Sequence, residues 1–317
     1  MTSNLLFDHS LTKSKQPSRT AGILPVSTMP ERRNDSPQRQ NNLPISRVKP
    51  GDIWQLGKHR LLCGDCTDKR QIEQLLQGKR PTLTITSPPY NIGSKTGFPN
   101  DRARGSSKYL HHSDALPHAE YLRLLENFTE NVLSVSGIVI VNVQMLARNK
   151  IAVIEYLHRF RHDFIDLIIW DKGRAQPAMT KNVLNSRFEL LLFFTAKRSK
   201  GITPRTIHTA DFHGTVSNVY TAPPQSSNRY FALHAATFPL HLPLWLMNSF
   251  DANSGSVFDP FLGTGTTLMA AEQTGKLCFG MEIDPLYCDI AISRWEVMTG
   301  LSAIRNASIK EGQHSFL

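Results

Sequence analysis

The chain has 317 residues, of which 40% are hydrophobic and 20% are charged, and its formal net charge is +10. This length is sufficient for one large domain or two small ones, and the apolar content is sufficient for a sizeable core. The sequence shows no apolar run long enough to span a membrane, no compact apolar segment typical of a secretory signal, and only four cysteines. We therefore expect a protein of the reducing cytoplasm without a disulfide framework.

Positive charge is concentrated in three segments of the chain. Residues 1–50 carry eight Lys or Arg against three acidic residues, residues 94–112 four against one, and residues 196–233 five against one. Such clusters on a near-neutral chain are typical of a surface that binds a polyanion, although flexible segments are also often basic for solubility. Residues 1–46, rich in Ser, Pro, Asn, Gln and Arg, are predicted to form a disordered basic tail.

The first predicted elements lead to a short apolar strand. His59–Asp65 is predicted to be a strand that ends on a carboxylate, Lys69–Leu76 a short amphipathic helix, and Leu83–Ile85 the next strand. Cys63 and Cys66 form a C-x-x-C pair with no second pair at zinc spacing. We interpret them as structural thiols, with a redox pair as the alternative.

A polar, proline-rich tip from Thr86 to Asn91 follows this strand. Pro88 and Pro89 stiffen the backbone and lack N–H groups, so the carbonyl groups here are left to accept hydrogen bonds from a ligand. The Ser87 hydroxyl, a proline carbonyl and the Tyr90 ring suit a planar group with an exocyclic amine, which donates two hydrogen bonds and stacks. A loop that simply ends the strand is the alternative interpretation.

Strands and helices alternate through the rest of the chain, which indicates a doubly wound, mostly parallel α/β sheet. The further predicted strands are Gly137–Val143, Phe164–Trp170 and Arg187–Phe194. The further predicted helices are Pro117–Leu133, Lys150–Phe160, Leu242–Phe250 and Pro285–Met298. The polar stretch before residue 113 and the basic stretch 196–233 lack this periodicity and are predicted to be loops.

A second chemical motif lies in Ser256–Thr267, which is predicted to form a short buried strand, a glycine turn and a helix that begins near Thr266. A second strand, Leu277–Glu282, is predicted to follow and to end on a carboxylate. Glycines let a backbone approach a ligand closely, and the N–H groups of a helix start face it. Glu282 stands where nucleotide-binding α/β folds place the carboxylate that binds ribose hydroxyls. The turn is neither a Walker P-loop nor a complete dinucleotide fingerprint.

Together the two motifs resemble the amino-methyltransferases of DNA, which use S-adenosylmethionine. That family has a catalytic Ser/Asp/Asn-Pro-Pro-aromatic tetrad and a Phe-x-Gly-x-Gly turn that binds the cofactor. The matching residues are Ser87, Pro88, Pro89 and Tyr90 for the tetrad and Phe261, Gly263 and Gly265 for the turn. The tetrad precedes the turn, as in the permuted, beta-type members, and the resemblance covers roughly residues 50–298.

The resemblance implies a seven-stranded, Rossmann-like methyltransferase sheet with a circularly permuted motif order. The implied segments are a catalytic half at 47–195, a target-recognition insertion at 196–233, a cofactor-binding half at 234–300 and a loose C-terminal tail at 301–317. The insertion is alternatively an ordinary surface loop.

The resemblance also implies contacts with cofactor and DNA. The expected cofactor residues are Asp65, Thr237, Phe238, Asp259, Pro260, Phe261, Gly263, Gly265, Thr266 and Glu282. Asp65 is alternatively a turn or capping residue and Phe238 a core residue. The residues expected to contact DNA are Lys95, Arg102, Arg104, Lys108, Lys197, Arg198, Arg205 and Arg229. No metal is expected, because methyl transfer to an amine needs none.

The first residue of the tetrad bears on the substrate. In the family, Ser there usually accompanies methylation of cytosine N4, and Asp or Asn that of adenine N6. Ser87 therefore favours a cytosine flipped out of double-stranded DNA, with adenine as the alternative. A methyltransferase for RNA or protein glutamine, a nicotinamide-dependent oxidoreductase and a non-enzymatic DNA-binding protein are the competing interpretations. The resemblance leaves open a homodimer and a cognate restriction endonuclease.

Overall fold

The computed structural model describes residues 46–92, 115–176, 181–196, 205–207, 215–224, 239–251 and 255–306. Within these ranges the chain forms ten strands and six helices. The strands are β1 (Ile53–Leu56), β2 (His59–Cys63), β3 (Leu83–Thr86), β4 (Ile138–Val143), β5 (Phe164–Gln176), β6 (Ser186–Phe194), β7 (Val219–Thr221), β8 (Ser256–Asp259), β9 (Leu277–Glu282) and β10 (Ile304–Asn306). The helices are α1 (Lys69–Leu76), α2 (His118–Val135), α3 (Lys150–Arg159), α4 (His241–Phe250), α5 (Thr266–Gln273) and α6 (Pro285–Thr299).

The ten described strands form one sheet in the order β10-β1-β2-β9-β8-β3-β4-β6-β5-β7. The pairings make β1 and β6 run against the other eight strands. Strands β3 and β8, which precede the two chemical motifs, are parallel neighbours at the centre. Because parallel strands have their carboxyl ends at the same edge, both motifs emerge on one side of the sheet. The mostly parallel sheet with permuted motif order is confirmed.

The prediction of seven strands was too low for the described residues. Seven neighbouring strands match the prediction, in the order β2-β9-β8-β3-β4-β6-β5. The three short strands at the edges of the sheet, β10, β1 and β7, were missed. Strand β7 lies inside the predicted insertion and β10 inside the tail predicted to be loose. Each has three residues, mostly exposed, so neither carries the buried apolar alternation by which a strand is recognised in a sequence.

Helices cover both faces of the sheet, which confirms the doubly wound architecture. Helices α1, α2 and α3 pack on one face and α4, α5 and α6 on the other. In β4, Ile138 and Ile140 belong to the core under α4–α6, whereas Val139 and Val141 belong to the core under α1–α3. Burial on both faces explains why this strand is apolar at almost every position.

Local signals place the helix starts near the site. The Asp284 carboxylate accepts a hydrogen bond from Leu286 N at 2.9 Å and caps α6, whose first residue is Pro285. Helix α5 begins directly after Gly265, which has a φ of 87°. Of the helices in the described ranges, none combines the length and apolar character that crossing a membrane requires.

The four cysteines are buried free thiols. Burial raises the pKa of the Cys66 and Cys278 thiols well above the ordinary value. A thiol in such surroundings stays protonated and packs as a small apolar side chain, which agrees with the structural role expected for the C-x-x-C pair.

Candidate active site

Helix α2 and the chain before it support the tip that follows β3. The Tyr121 hydroxyl donates to the Pro89 carbonyl at 2.9 Å. The side chain of Asn91 exchanges two hydrogen bonds, of 2.7 and 3.0 Å, with the backbone of Leu116, and Asn91 itself has a φ of 54°. No described residue donates to the Pro88 carbonyl. Of the two proline carbonyls, only that of Pro89 has a donor among the described residues, and the acceptor role of the Pro88 carbonyl stays a prediction.

The Tyr90 hydroxyl lies at the centre of a polar cluster. Its oxygen is 2.8 Å from Glu189 Oε2 and 3.0 Å from Asn142 Oδ1, and it accepts a hydrogen bond of 3.2 Å from Ser87 Oγ. The second Glu189 oxygen is 2.6 Å from Lys172 Nζ. Ser87 and Tyr90 are half-buried, so the structure brings the two predicted catalytic side chains together at an accessible point.

The sequence analysis missed the residues that hold the tip in place. These residues include Asn142 on β4, Lys172 on β5 and Glu189 on β6. Asn149, which precedes α3, donates from Nδ2 to the Tyr90 carbonyl at 2.8 Å. Asn142 and Glu189 stand beside apolar runs, and a polar residue in such a place is buried only with a partner, which was the available signal. The partner itself could not be identified from the sequence.

Asp259, at the end of β8, connects the tip to the cofactor turn. Its Oδ1 accepts hydrogen bonds from Thr86 Oγ1 at 2.9 Å and from Phe261 N at 3.1 Å, and its Oδ2 accepts from Thr267 Oγ1 at 2.5 Å. The side chain is fully buried, and this desolvation raises its pKa to about 6. The three donors come from the tip, the cofactor turn and α5, which gives Asp259 a bracing position. Its predicted contact with the cofactor stays a prediction.

The glycine turn and Glu282 face each other at the ends of β8 and β9. Gly263, with a φ of 55°, donates from its backbone N to Glu282 Oε2 at 2.8 Å, and Asp284 N donates to Oε1 at 2.9 Å. Burial raises the pKa of Glu282 to about 7. A Cβ at Gly265 would lie 2.9 Å from the Ala291 Cβ, so glycine is required there for α6 to pack against the turn.

The remaining expected cofactor residues take different places. Pro260 and Thr266 are buried on either side of the turn, and the Phe261 ring packs edge-on against Phe128 with centroids 5.0 Å apart. Asp65 Oδ1 accepts two 2.8 Å hydrogen bonds from Thr67, which is the turn geometry given as the alternative. Thr237 and Phe238 lie outside the described residues.

Most of the residues expected to contact DNA lie outside the described ranges. These are Lys95, Arg102, Arg104, Lys108, Lys197, Arg198 and Arg229. The exception is Arg205, which is exposed and pairs with Asp166 Oδ2 at 2.5 Å from its terminal nitrogen. An exposed pair of this kind contributes little to stability and is readily exchanged for another anion.

We expect Glu282→Gln to change how stability depends on pH. The raised pKa means that the folded state binds more protons than the unfolded state between about pH 4.5 and 7, so this carboxyl lowers the free energy of unfolding as pH rises through that window. Across this window, the free energy of unfolding of the variant should rise relative to that of the native chain by roughly 2–3 kcal/mol. Urea denaturation without cofactor measures it. The exposed Glu73→Gln is the matched control, and a Glu282→Gln profile parallel to the native one would contradict the assignment.

The site and the fold agree with the resemblance found in the sequence. A doubly wound sheet carries a glycine turn and a terminal carboxylate on adjacent strands, beside a strand ending in Ser-Pro-Pro-Tyr, as expected for a DNA amino-methyltransferase. The comparison with known proteins names the family. The sequence profile described as "DNA methylase", for N6 and N4 methyltransferases, matches residues 82–293, and the chain belongs to this family.

Individual proteins similar to this chain are also methyltransferases. The type II methyltransferase M.MthZI of Methanothermobacter thermautotrophicus is 24% identical over 279 residues, which cover 74% of this chain and 76% of that protein. The type II methyltransferase M.Cfr9I of Citrobacter freundii is 27% identical over 127 residues, 40% of this chain and less than half, 42%, of that relative. The structure of PvuII DNA methyltransferase (cytosine-N4-specific) shares the fold, with a TM-score of 0.54 at 18% identity over 79% of this chain and 89% of that one.

S-adenosylmethionine is the cofactor of this family, and the residues present fit it. A carboxylate offers about four lone-pair positions, and the described residues bring backbone N–H donors from Gly263 and Asp284 to the Glu282 carboxylate. Asp284 Oδ2 is buried without a hydrogen-bond partner among the described residues. A ligand that carries hydroxyl and amine donors, as an adenosine does, can satisfy these acceptors.

Proposed function

We propose that this chain is a site-specific DNA methyltransferase that modifies the exocyclic N4 of a flipped-out cytosine. One observation carries the proposal. Thr86, the residue before Ser87, and Phe261, in the cofactor turn, hydrogen-bond to the same oxygen of Asp259. The group that grips a base and the turn that holds the cofactor therefore lie within a few residues of one shared atom.

The proposed chemistry divides between holding the amine and holding the cofactor. The lone pair of a nucleobase amine is delocalised into the ring, so the amine needs acceptors that turn its nitrogen towards the methyl group. Ser87 Oγ and the Pro88 carbonyl are the proposed acceptors, and Tyr90 is the proposed stacking partner. Glu282 would hold the ribose hydroxyls and the turn from Phe261 the rest of the cofactor, which supplies an activated methyl group on a sulfonium.

Positioning supplies most of the expected rate. Bringing the amine nitrogen into line with the methyl group converts an encounter into a step within one complex. The carbonyl and hydroxyl dipoles of the tip stabilise the positive charge that develops on the nitrogen. The proton leaves after transfer, so no strong general base is required. The flipped base costs a few kcal/mol of stacking and pairing.

The test is incubation with labelled S-adenosylmethionine and unmethylated double-stranded DNA, followed by nucleoside analysis. We expect labelled N4-methylcytosine. Labelled N6-methyladenine would instead identify adenine, the alternative, as the target base, because the family profile covers both N6 and N4 methyltransferases. Label that enters only RNA or protein offered in parallel would overturn the proposal of a DNA substrate.

The wider organisation is proposed on the same basis. The target-recognition role of residues 196–233 and the phosphate contacts of the basic segments are supported by their charge and by their position in the chain. A cognate restriction endonuclease is proposed because the relatives are type II methyltransferases, and a homodimer stays a prediction. The cytoplasm is the proposed location because the family acts on DNA.

A further inference from the structure

A buried ion pair lies directly behind the tip and has no role in the chemistry described above. Lys172 Nζ and Glu189 Oε1 are 2.6 Å apart, with side chains only 5% and 10% exposed, on the antiparallel strands β5 and β6. The Lys172 ammonium also lies 5.7 Å from the centre of the Trp170 ring. Buried ion pairs are weak contributors to stability, since well-packed apolar residues often serve as well. We therefore look for the role of the pair in the residue that Glu189 contacts, which is Tyr90.

The hydrogens of this cluster can be assigned by counting donors. Among the described residues, the Tyr90 hydroxyl, which carries one proton, has two acceptors within reach, the Glu189 carboxylate at 2.8 Å and the Asn142 amide oxygen at 3.0 Å. The carboxylate is nearer, and a charged acceptor makes the stronger hydrogen bond. The phenol proton is thereby directed at Glu189, and towards Ser87 the phenol oxygen acts as an acceptor.

The same count then applies to Ser87. Its hydroxyl has one proton, and the geometry directs that proton at the Tyr90 oxygen, 3.2 Å away. What Ser87 then presents to a ligand is the lone pairs of its oxygen. An exocyclic amine, which donates, fits this oxygen, whereas a carbonyl oxygen at the same position meets lone pair against lone pair.

We propose that Glu189, held by Lys172, is a positioning residue that sets the direction of the chain of hydrogen bonds from Ser87 to Tyr90 to Glu189. It makes Ser87 Oγ an acceptor towards the base, so the site selects the amine of cytosine over the carbonyl of uracil or thymine. This inference rests on the proposed function, because it assigns the target base to Ser87. It explains why a charged pair is kept behind an aromatic residue whose ring alone would suffice for stacking.

The first test is a double-mutant cycle on single-turnover methylation of DNA. Glu189→Gln should lower the rate roughly 10- to 100-fold, the range of one hydrogen bond to a charged group, without changing the Kd for S-adenosylmethionine. In a Tyr90→Phe background the same change should cost almost nothing more, because Glu189 acts through the lost hydroxyl. Rate losses that multiply in the double variant would overturn the proposal.

Two further variants separate this role from folding. Lys172→Met/Glu189→Gln removes the buried charges together, so it avoids an unpaired ammonium and should show the same loss of rate with an intact cofactor Kd. Glu130→Gln breaks the exposed Arg159–Glu130 pair, which has a 2.7 Å contact, and should methylate at the native rate. A paired variant that binds cofactor and methylates at the native rate would overturn the proposal.

The second test reads the hydrogen-bond direction itself. Duplexes that carry the site methylated by the native chain are compared for binding, with cytosine or uracil at the target position and an abasic residue opposite, so that neither target base is paired. The native chain should prefer cytosine, and the preference should fall several-fold in Glu189→Gln, because the Ser87 proton is then able to turn to a carbonyl. An unchanged preference would refute the inference. A native chain that methylates no DNA would instead refute the proposed function.

Discussion

Replacing Ser87 by alanine should lower the single-turnover rate of methyl transfer by roughly 100- to 1,000-fold, the usual loss for a group that acts on charge developing in the transition state. The variant should still bind S-adenosylmethionine and DNA, because the Ser87 side chain hydrogen-bonds to the Tyr90 hydroxyl and to none of the described residues of the glycine turn. Equilibrium binding of each ligand, beside rapid-quench measurement of methylated DNA, separates the two effects.

The matched control for this prediction is Ser134→Ala, which removes an exposed hydroxyl whose hydrogen bond goes to the Asn131 carbonyl at 2.6 Å in α2. It should methylate at the native rate. A Ser87→Ala variant that stays within about threefold of the native rate would show that the hydroxyl is not used. Ser87→Ala that loses DNA binding as well as transfer would assign Ser87 to recognition instead.

Asp259→Ala should have the largest effect on stability, a loss of roughly 3–5 kcal/mol. It leaves the Thr86 and Thr267 hydroxyls and the Phe261 N–H without their acceptor in a buried place. Because these donors come from both sides of the site, cofactor binding should weaken at the same time. Urea denaturation near pH 7.5, where a carboxyl with a pKa of about 6 is ionised, measures the loss.

Asp259→Asn provides the matched comparison. Its amide oxygen can still accept from Thr86 and Phe261, and its NH2 group can donate to a Thr267 hydroxyl that has turned round. This variant should lose only about 1–2 kcal/mol. If alanine were tolerated as well as asparagine, the three hydrogen bonds would have to be replaced by water, and the bracing role of Asp259 would be wrong.

The sequence was sufficient to predict the parts of the site that are local in the chain. The glycine turn, the start of α5 at Thr266 and the strand that ends on Glu282 agree with the structure. Each depends on neighbouring residues, since glycines at positive φ and an apolar run ending on a carboxylate can be recognised without the fold. The direction of a side chain was harder to predict. Asp259 ends its strand as expected but points at protein donors.

The support behind Tyr90 could not be predicted because it is not local. Glu189 is 99 residues from Tyr90, and the contact exists only because β6 pairs with β4 two strands away from the centre of the site. Strands β7 and β10 were missed for a different reason. Their side chains are mostly exposed, and their pairing with β5 and β1 is made by backbone groups that every residue carries.

The strand order has a consequence for how the protein is made. Strands β2 and β3 are successive in the chain, yet β9 and β8 separate them in the sheet. During synthesis from the N-terminus, one edge of β2 and one edge of β3 stay unpaired until residues 256–282, which contain β8 and β9, have left the ribosome. Exposed strand edges of this kind attract other chains, so the nascent protein is most vulnerable to aggregation shortly before its sheet closes.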